Sequence, residues 1–278
     1  MREVDPDDTP DDDLTPELAD LVREIRNLGS SNLPYEATLI TLLTSDSTSA
    51  RWEVFDHYCS AHRHTRFGGP QEPFSERVEQ AVRRCARQEL ASAIGARPDP
   101  TATRNSSPNR VSALYALWFC ARPADGPLVA RVLDAELGGD RDPEVFSFGV
   151  NVAGGLLGSG ARRSIIDQLV HTLTRVAVDP RIDVRLRGQA LRELGNGTTR
   201  QTVTSLLSSA LASPDLTISS TAALALLGRK ARFTNQIRRL AATWPTGPTG
   251  PGVPWEVSEV RYALAEEHDR RLAATSKP

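Results

Sequence analysis

A chain of 278 residues with 39% hydrophobic content is long enough to bury a sizeable core. It has no run of 18 or more apolar residues, and its opening MREVDPDDTPDDD lacks the basic start and apolar middle of a secretory signal, so neither a membrane span nor export is expected and the expected compartment is cytoplasmic. The formal charge of −2 conceals a polarised distribution, with nine acids against one Arg in residues 1–20 and thirteen bases against five acids in residues 160–243.

Residues 1–13 are too charged and too poor in apolar side chains to fold alone, and are expected to be a disordered acidic leader, able to fold back on the basic half and compete with an anionic ligand. PYEATLITLLTSDSTSARWEVFDHYCSAH then reads as a helical hairpin, with Leu39, Leu42 and Leu43 ending one helix and Trp52, Phe55 and Cys59 on the next. Within it, FDHYCSAHRH gathers His57, Cys59, His62 and His64. Zinc needs thiolate and imidazole ligands converging on one point, whereas His57 and His62 lie about 140° apart around a helix. No metal ligands are therefore assigned, and the stretch is read as an exposed helix end. PFSERVEQAVRRCARQELASAIGAR predicts a long amphipathic helix through Val78, Val82, Cys85, Leu90 and Ile94, and PDPTATRNSSPN a loop. Cys59, Cys85 and Cys120 form no CxxC pair and are expected to be small buried hydrophobes.

From Pro108 onward a repeat emerges. SSPNRVSALYALWFC, DRDPEVFSFGVNVAGGLLG, DPRIDVRLRGQALRELG and SPDLTISSTAALALLG each place a proline, an apolar-periodic run and, in the last three, a closing Leu-Gly. The prolines, Pro108, Pro143, Pro180 and Pro214, predict helix starts, with Ser or Asp as N-cap and Pro in the first turn. Between them, GPLVARVLDAELGG, RRSIIDQLVHTLTRVAV and TRQTVTSLLSSALAS carry apolar residues every three or four positions and predict further helices, one to pair with each station in a helical hairpin. GGLLGSG (Gly154 to Gly160) lacks the strand, Lys and Ser/Thr of a phosphate loop, and reads as small residues permitting close helix contact followed by a turn. WPTGPTGPGVPW, with four prolines and three glycines, breaks any helix. WEVSEVRYALAEEHDRRLAA closes the chain as a helix, with Glu266 and Glu267 four residues before Arg270 and Arg271.

The station Asp183, Val184, Arg185 with Ala190, Leu191, Leu194 and Gly195 resembles the HEAT repeat, a helix pair whose second helix reads Val-Arg, Ala-Leu and Leu-Gly. The copy after Pro214 departs from it, with Thr217, Ile218 and Ser219 at the first three positions, and the one at Pro108 lacks the closing Gly. The resemblance implies an all-α fold, a right-handed α-α superhelix or HEAT-like solenoid of about five helical hairpins over residues 14–243. A Pro/Gly linker at 244–254 and a C-terminal capping helix and tail at 255–278 would follow. Such rods serve mostly as interaction surfaces, which implies an adaptor, inhibitor or immunity-type protein.

Arg181, Arg185 and Arg192 fall within about 60° of one another on a helix and, with Arg229 and Arg232, are the expected partner-binding residues. Such a basic stripe suits an acidic protein surface or nucleic-acid phosphates. The expected function is a non-catalytic protein-protein interaction scaffold, without cofactor. The alternative resembles the HEAT-like alkylpurine DNA glycosylases, with Trp118 and Trp52 as an aromatic wall and Asp183 or Asp167 as a carboxylate. Near-neutral total charge and the absence of GxSxG or HExxH weigh against an enzyme.

Overall fold

The computed structural model describes residues 13–28, 35–66, 74–95, 108–139, 142–227, 229, 231–245 and 253–275. Among them are thirteen α-helices and no strand, and none of those helices is long and apolar enough to cross a membrane. The chain divides into two compact units, residues 1–135 and 136–278. The acidic leader up to residue 12, the expected loop PDPTATRNSSPN up to residue 107 and the Pro/Gly segment 246–252 lie outside the described residues, as do the side chains of Arg270 and Arg271.

The first unit contains α1 (Pro16–Leu28), α2 (Glu36–Leu43), α3 (Thr48–Arg66), α4 (Glu76–Gly95) and α5 (Pro108–Cys120); α6 (Gly126–Gly138) begins in it and crosses the division. Here α3 packs between α1 and α5, while α4 packs on α2, α3 and α5. Of the apolar positions expected on these helices, Leu39, Leu42, Phe55, Val82, Leu90, Ala116 and Leu117 are buried. Asp13, counted with the leader by composition, belongs to the fold. Its carboxylate accepts from the Ser47 hydroxyl and the Thr48 and Ser49 amides, and so caps α3 from a distant point in the chain. Those hydrogen bonds hold its pKa below the ordinary value although partial burial, the largest influence, acts the other way.

The second unit contains α7 (Pro143–Leu157), α8 (Arg163–Val178), α9 (Val184–Gly197), α10 (Gln201–Ala210), α11 (Leu216–Leu227), α12 (Ala231–Ala241) and α13 (Trp255–Thr275). Odd-numbered helices pack in series, α7 on α9, α9 on α11 and α11 on α13, and each even-numbered helix rests on the two odd-numbered ones flanking it in sequence. Helix starts differ in one detail from the sequence expectation. Pro108 and Pro143 do occupy the first helical turn, but Pro180 and Pro214 stand in the preceding turns. There Asp183 and Asp215 cap the helices instead, accepting from the Arg185 amide and from the Thr217 and Ile218 amides.

Glycines set the spacing of α7, α9 and α11. Gly195 is not the terminator its Leu-Gly context suggests; it lies inside α9, and a Cβ there would come within 2.5 Å of Ala225 Cβ on α11. On the other flank, a Cβ at Gly197 would meet Leu157 Cβ at 2.5 Å, and one at Gly154 would collide with Glu193. The small-residue reading of GGLLGSG thus holds, and its turn includes Gly160 at φ 74°. Gly195→Ala is expected to lower stability by about 1–3 kcal/mol in urea unfolding, the overlap outweighing a helix-propensity gain of about 1 kcal/mol. Gly155 in α7 faces open space, so Gly155→Ala should raise stability by about 0.5–1 kcal/mol.

Candidate functional site

At 100° per residue, Arg185, Gln189, Arg192 and Asn196 occupy one arc of α9, opposite the buried Ala190, Leu191 and Leu194. The flanks of the helix are taken: Gly188 and Gly195 face Thr217, Thr221 and Ala225 of α11, and Glu193 and Gly197 face Gly154 and Leu157 of α7. A polar stripe is left between two tight seams.

Its members are fixed to different degrees. Gln189 Nε2 donates to the Ser147 carbonyl at 2.9 Å and to Asn151 Oδ1 at 2.8 Å, joining the stripe to α7. Arg192 lies 3.7 Å from Glu193 Oε1 and 3.8 Å from the buried Glu256 on α13, with its guanidinium 6.0 Å above the Trp255 ring, which is half exposed. Burial pushes the Glu193 carboxyl above its ordinary pKa, and the neighbouring Arg192 opposes that rise. Arg185 is exposed and enters no ion pair among the described residues. The arrangement offers a cation free to meet an anion, a second cation braced by two carboxylates and a ring, and carboxamides that both donate and accept.

The other expected binding residues are placed differently. Arg181 precedes α9, because Asp183 starts the helix, and helical periodicity does not extend back to it; its guanidinium is clamped by Asp179 at 2.8 Å in the preceding turn. Arg229 is turned inward. It donates to the carbonyls of Leu194 (3.4 Å), Gly195 (2.6 Å) and Thr198 (2.5 Å) and to the Thr204 hydroxyl (2.9 Å), closing the C-terminal end of α9. Burial lowers the pKa of that guanidinium. Arg232 belongs to α12, and its side chain lies outside the described residues. Of the five, only Arg185 and Arg192 share the stripe; Gln189, Asn151 and Trp255 were not singled out from sequence. Gln189 carried a signal, four residues after Arg185 and three before Arg192.

Residues named for the glycosylase-like alternative have local roles. Asp167 pairs with Arg200, and Asp183 caps α9. Trp118 is 36% exposed and lies against Phe119 and Tyr115, over whose ring Arg63 sits at 5.4 Å. Trp52 is partly exposed on α3.

The histidine stretch is not an exposed helix end. α3 runs on to Arg66, His57 and Cys59 are buried, and His62 stacks on Phe119 at 4.8 Å and edge-on to Tyr58 at 4.4 Å. The Phe74 and α5 rings cover a surface that looked polar in sequence. Burial holds the His62 imidazole below its usual pKa and pushes the Cys85 and Cys120 thiols up to about 12, so neither is a thiolate nucleophile at neutral pH. All three cysteines are buried and free, as expected. Among the described residues no three His, Cys, Asp or Glu side chains converge to hold a metal ion.

No protein-family model, curated protein or solved structure matches the chain. The stripe on α9 is accordingly read from its own chemistry.

Proposed function

We propose that this chain is a non-catalytic interaction protein, an adaptor, inhibitor or immunity-type partner, folded as a right-handed α-α superhelix of HEAT-like hairpins. In this reading the α9 stripe grips an acidic protein surface. The serial packing of the odd-numbered helices in the second unit supports the superhelix. The single observation that carries the binding role is the exposed Arg185, unpaired among the described residues, aligned with Arg192 and its Trp255 platform. Charge complementarity of this kind steers encounter and fixes register, and the aromatic ring adds contact area at small entropic cost.

The test is affinity capture from lysate at low salt, comparing the wild-type chain with Arg185→Glu and Arg185→Glu/Arg192→Gln. A protein recovered by the wild type should bind the charge-reversed chain about 30-fold more weakly, corresponding to roughly 2 kcal/mol. Recovery of the same proteins in the same amounts by all three would end the assignment of this face. Labelled duplex DNA, bound at about 50 mM salt with affinity falling steeply as salt rises, would favour the nucleic-acid reading instead.

A further inference from the structure

The first unit carries a second polar site, separate from the α9 stripe. A groove of about 640 Å³ runs beside α4, lined by Gln80, Arg83, Arg84, Arg87 and Gln88 of that helix and by Arg122. Two of its arginines, Arg83 and Arg87, are held by one buried carboxylate. Asp125, in the turn before α6, is fully buried; Arg83 donates to it twice, at 2.7 and 3.0 Å, and the Arg122 amide once, at 2.7 Å. Arg87 Nη1 lies 3.3 Å from the same carboxylate.

Arg83, Arg84, Arg87 and Arg122 face the carboxylates of Asp125, Glu76 and Glu79, so positive charge remains in excess along the groove. Arg84 is exposed and has no ion pair among the described residues, and Arg122 reaches Glu79 only at 3.9 Å. Arg84, Arg87 and Arg122 thus retain N–H donors, and a planar fork of donors suits a tetrahedral oxyanion. A volume of this size suits a small metabolite rather than a macromolecular surface. Beyond the arginines, carboxamides and the carboxylates of Glu76 and Glu79 line the groove without an aromatic ring, which fits hydroxyl groups better than a nucleobase or an acyl chain.

We infer that this groove binds a phosphorylated polyhydroxy compound, its phosphate held by Arg84, Arg87 and Arg122 and its hydroxyls by Gln80, Gln88, Glu76 and Glu79. The assignment stands apart from the interaction role of α9 and survives its failure.

Isothermal titration of the full chain with glucose 6-phosphate, inorganic phosphate and glucose, at matched ionic strength, tests it. Glucose 6-phosphate should bind saturably with a Kd of about 1 mM or tighter, inorganic phosphate more weakly, and glucose not at all. Arg84→Gln/Arg122→Gln should weaken glucose 6-phosphate binding by about tenfold or more, since each loses charge-assisted hydrogen bonds. Both side chains are largely exposed, so the circular dichroism spectrum should not change. Absence of a saturable signal from both phosphate compounds, or undiminished affinity in the folded double variant, overturns the site. Equal affinity for glucose 6-phosphate and inorganic phosphate overturns the assignment of the hydroxyls.

Discussion

Replacing Asp125 with alanine is expected to lower the stability of the chain by about 3–5 kcal/mol in urea unfolding followed by circular dichroism. The carboxylate has 0% exposure, accepts from Arg83 and the Arg122 amide, and pairs with Arg87 at 3.3 Å. Removing it leaves the partly buried Arg83 guanidinium facing a cavity without its counter-ion, the circumstance in which a broken buried pair is most destabilising. Asp125→Asn keeps the shape and can accept one of these hydrogen bonds but not the charge, and should fall between alanine and wild type. A loss below about 1 kcal/mol for alanine, the range of a surface pair, would show that the carboxylate does not hold α4 to the turn before α6.

Arg229→Ala should be the second most damaging change, with a loss of about 2–4 kcal/mol. Three carbonyls at the end of α9 and the Thr204 hydroxyl converge on this guanidinium, and the last carbonyls of a helix have no partners within it. Arg229→Lys should recover only about 1 kcal/mol, because an ammonium cannot span acceptors arranged around a planar fork. Arg185→Ala, by contrast, should change stability by no more than about 0.5 kcal/mol, as expected of an exposed side chain. Measured together by thermal unfolding, these variants separate two arginines that look alike in sequence.

That contrast shows where legibility stopped. Helices were readable because their burial follows a period that local sequence carries. Leu39 and Leu42, Val82 and Leu90, and Ala190, Leu191 and Leu194 all point inward as their spacing predicts. Capping was readable as chemistry but not as position: Asp179-Pro180 and Ser213-Pro214 announced turns, and the caps are Asp183 and Asp215, which follow those prolines. Burial of polar groups was not readable, because it depends on what arrives from elsewhere. Asp125 lies in a Pro-Ala-Asp-Gly stretch that reads as an ordinary surface turn; its partner Arg83 comes from 42 positions upstream. Asp13 sits in a run of acids, and its role comes from the start of α3 lying beside it. His57 and His62 are covered by rings contributed by Phe74 and Phe119. At the candidate site, Arg185 and Arg192 were visible through helical spacing, whereas Trp255, from a helix beyond the Pro/Gly segment, was visible only in space.

The approach of Gly195 to Ala225 across the boundary between α9 and α11 carries a genetic consequence. What is constrained there is the sum of two side chains, one methyl in total, and either helix can supply it. An Ala225→Gly change should act as a suppressor of Gly195→Ala, restoring most of the lost stability, while on its own it removes a methyl and weakens a good helix former. Diverged versions of this protein would then show the two positions exchanging their residues in concert, never both enlarged.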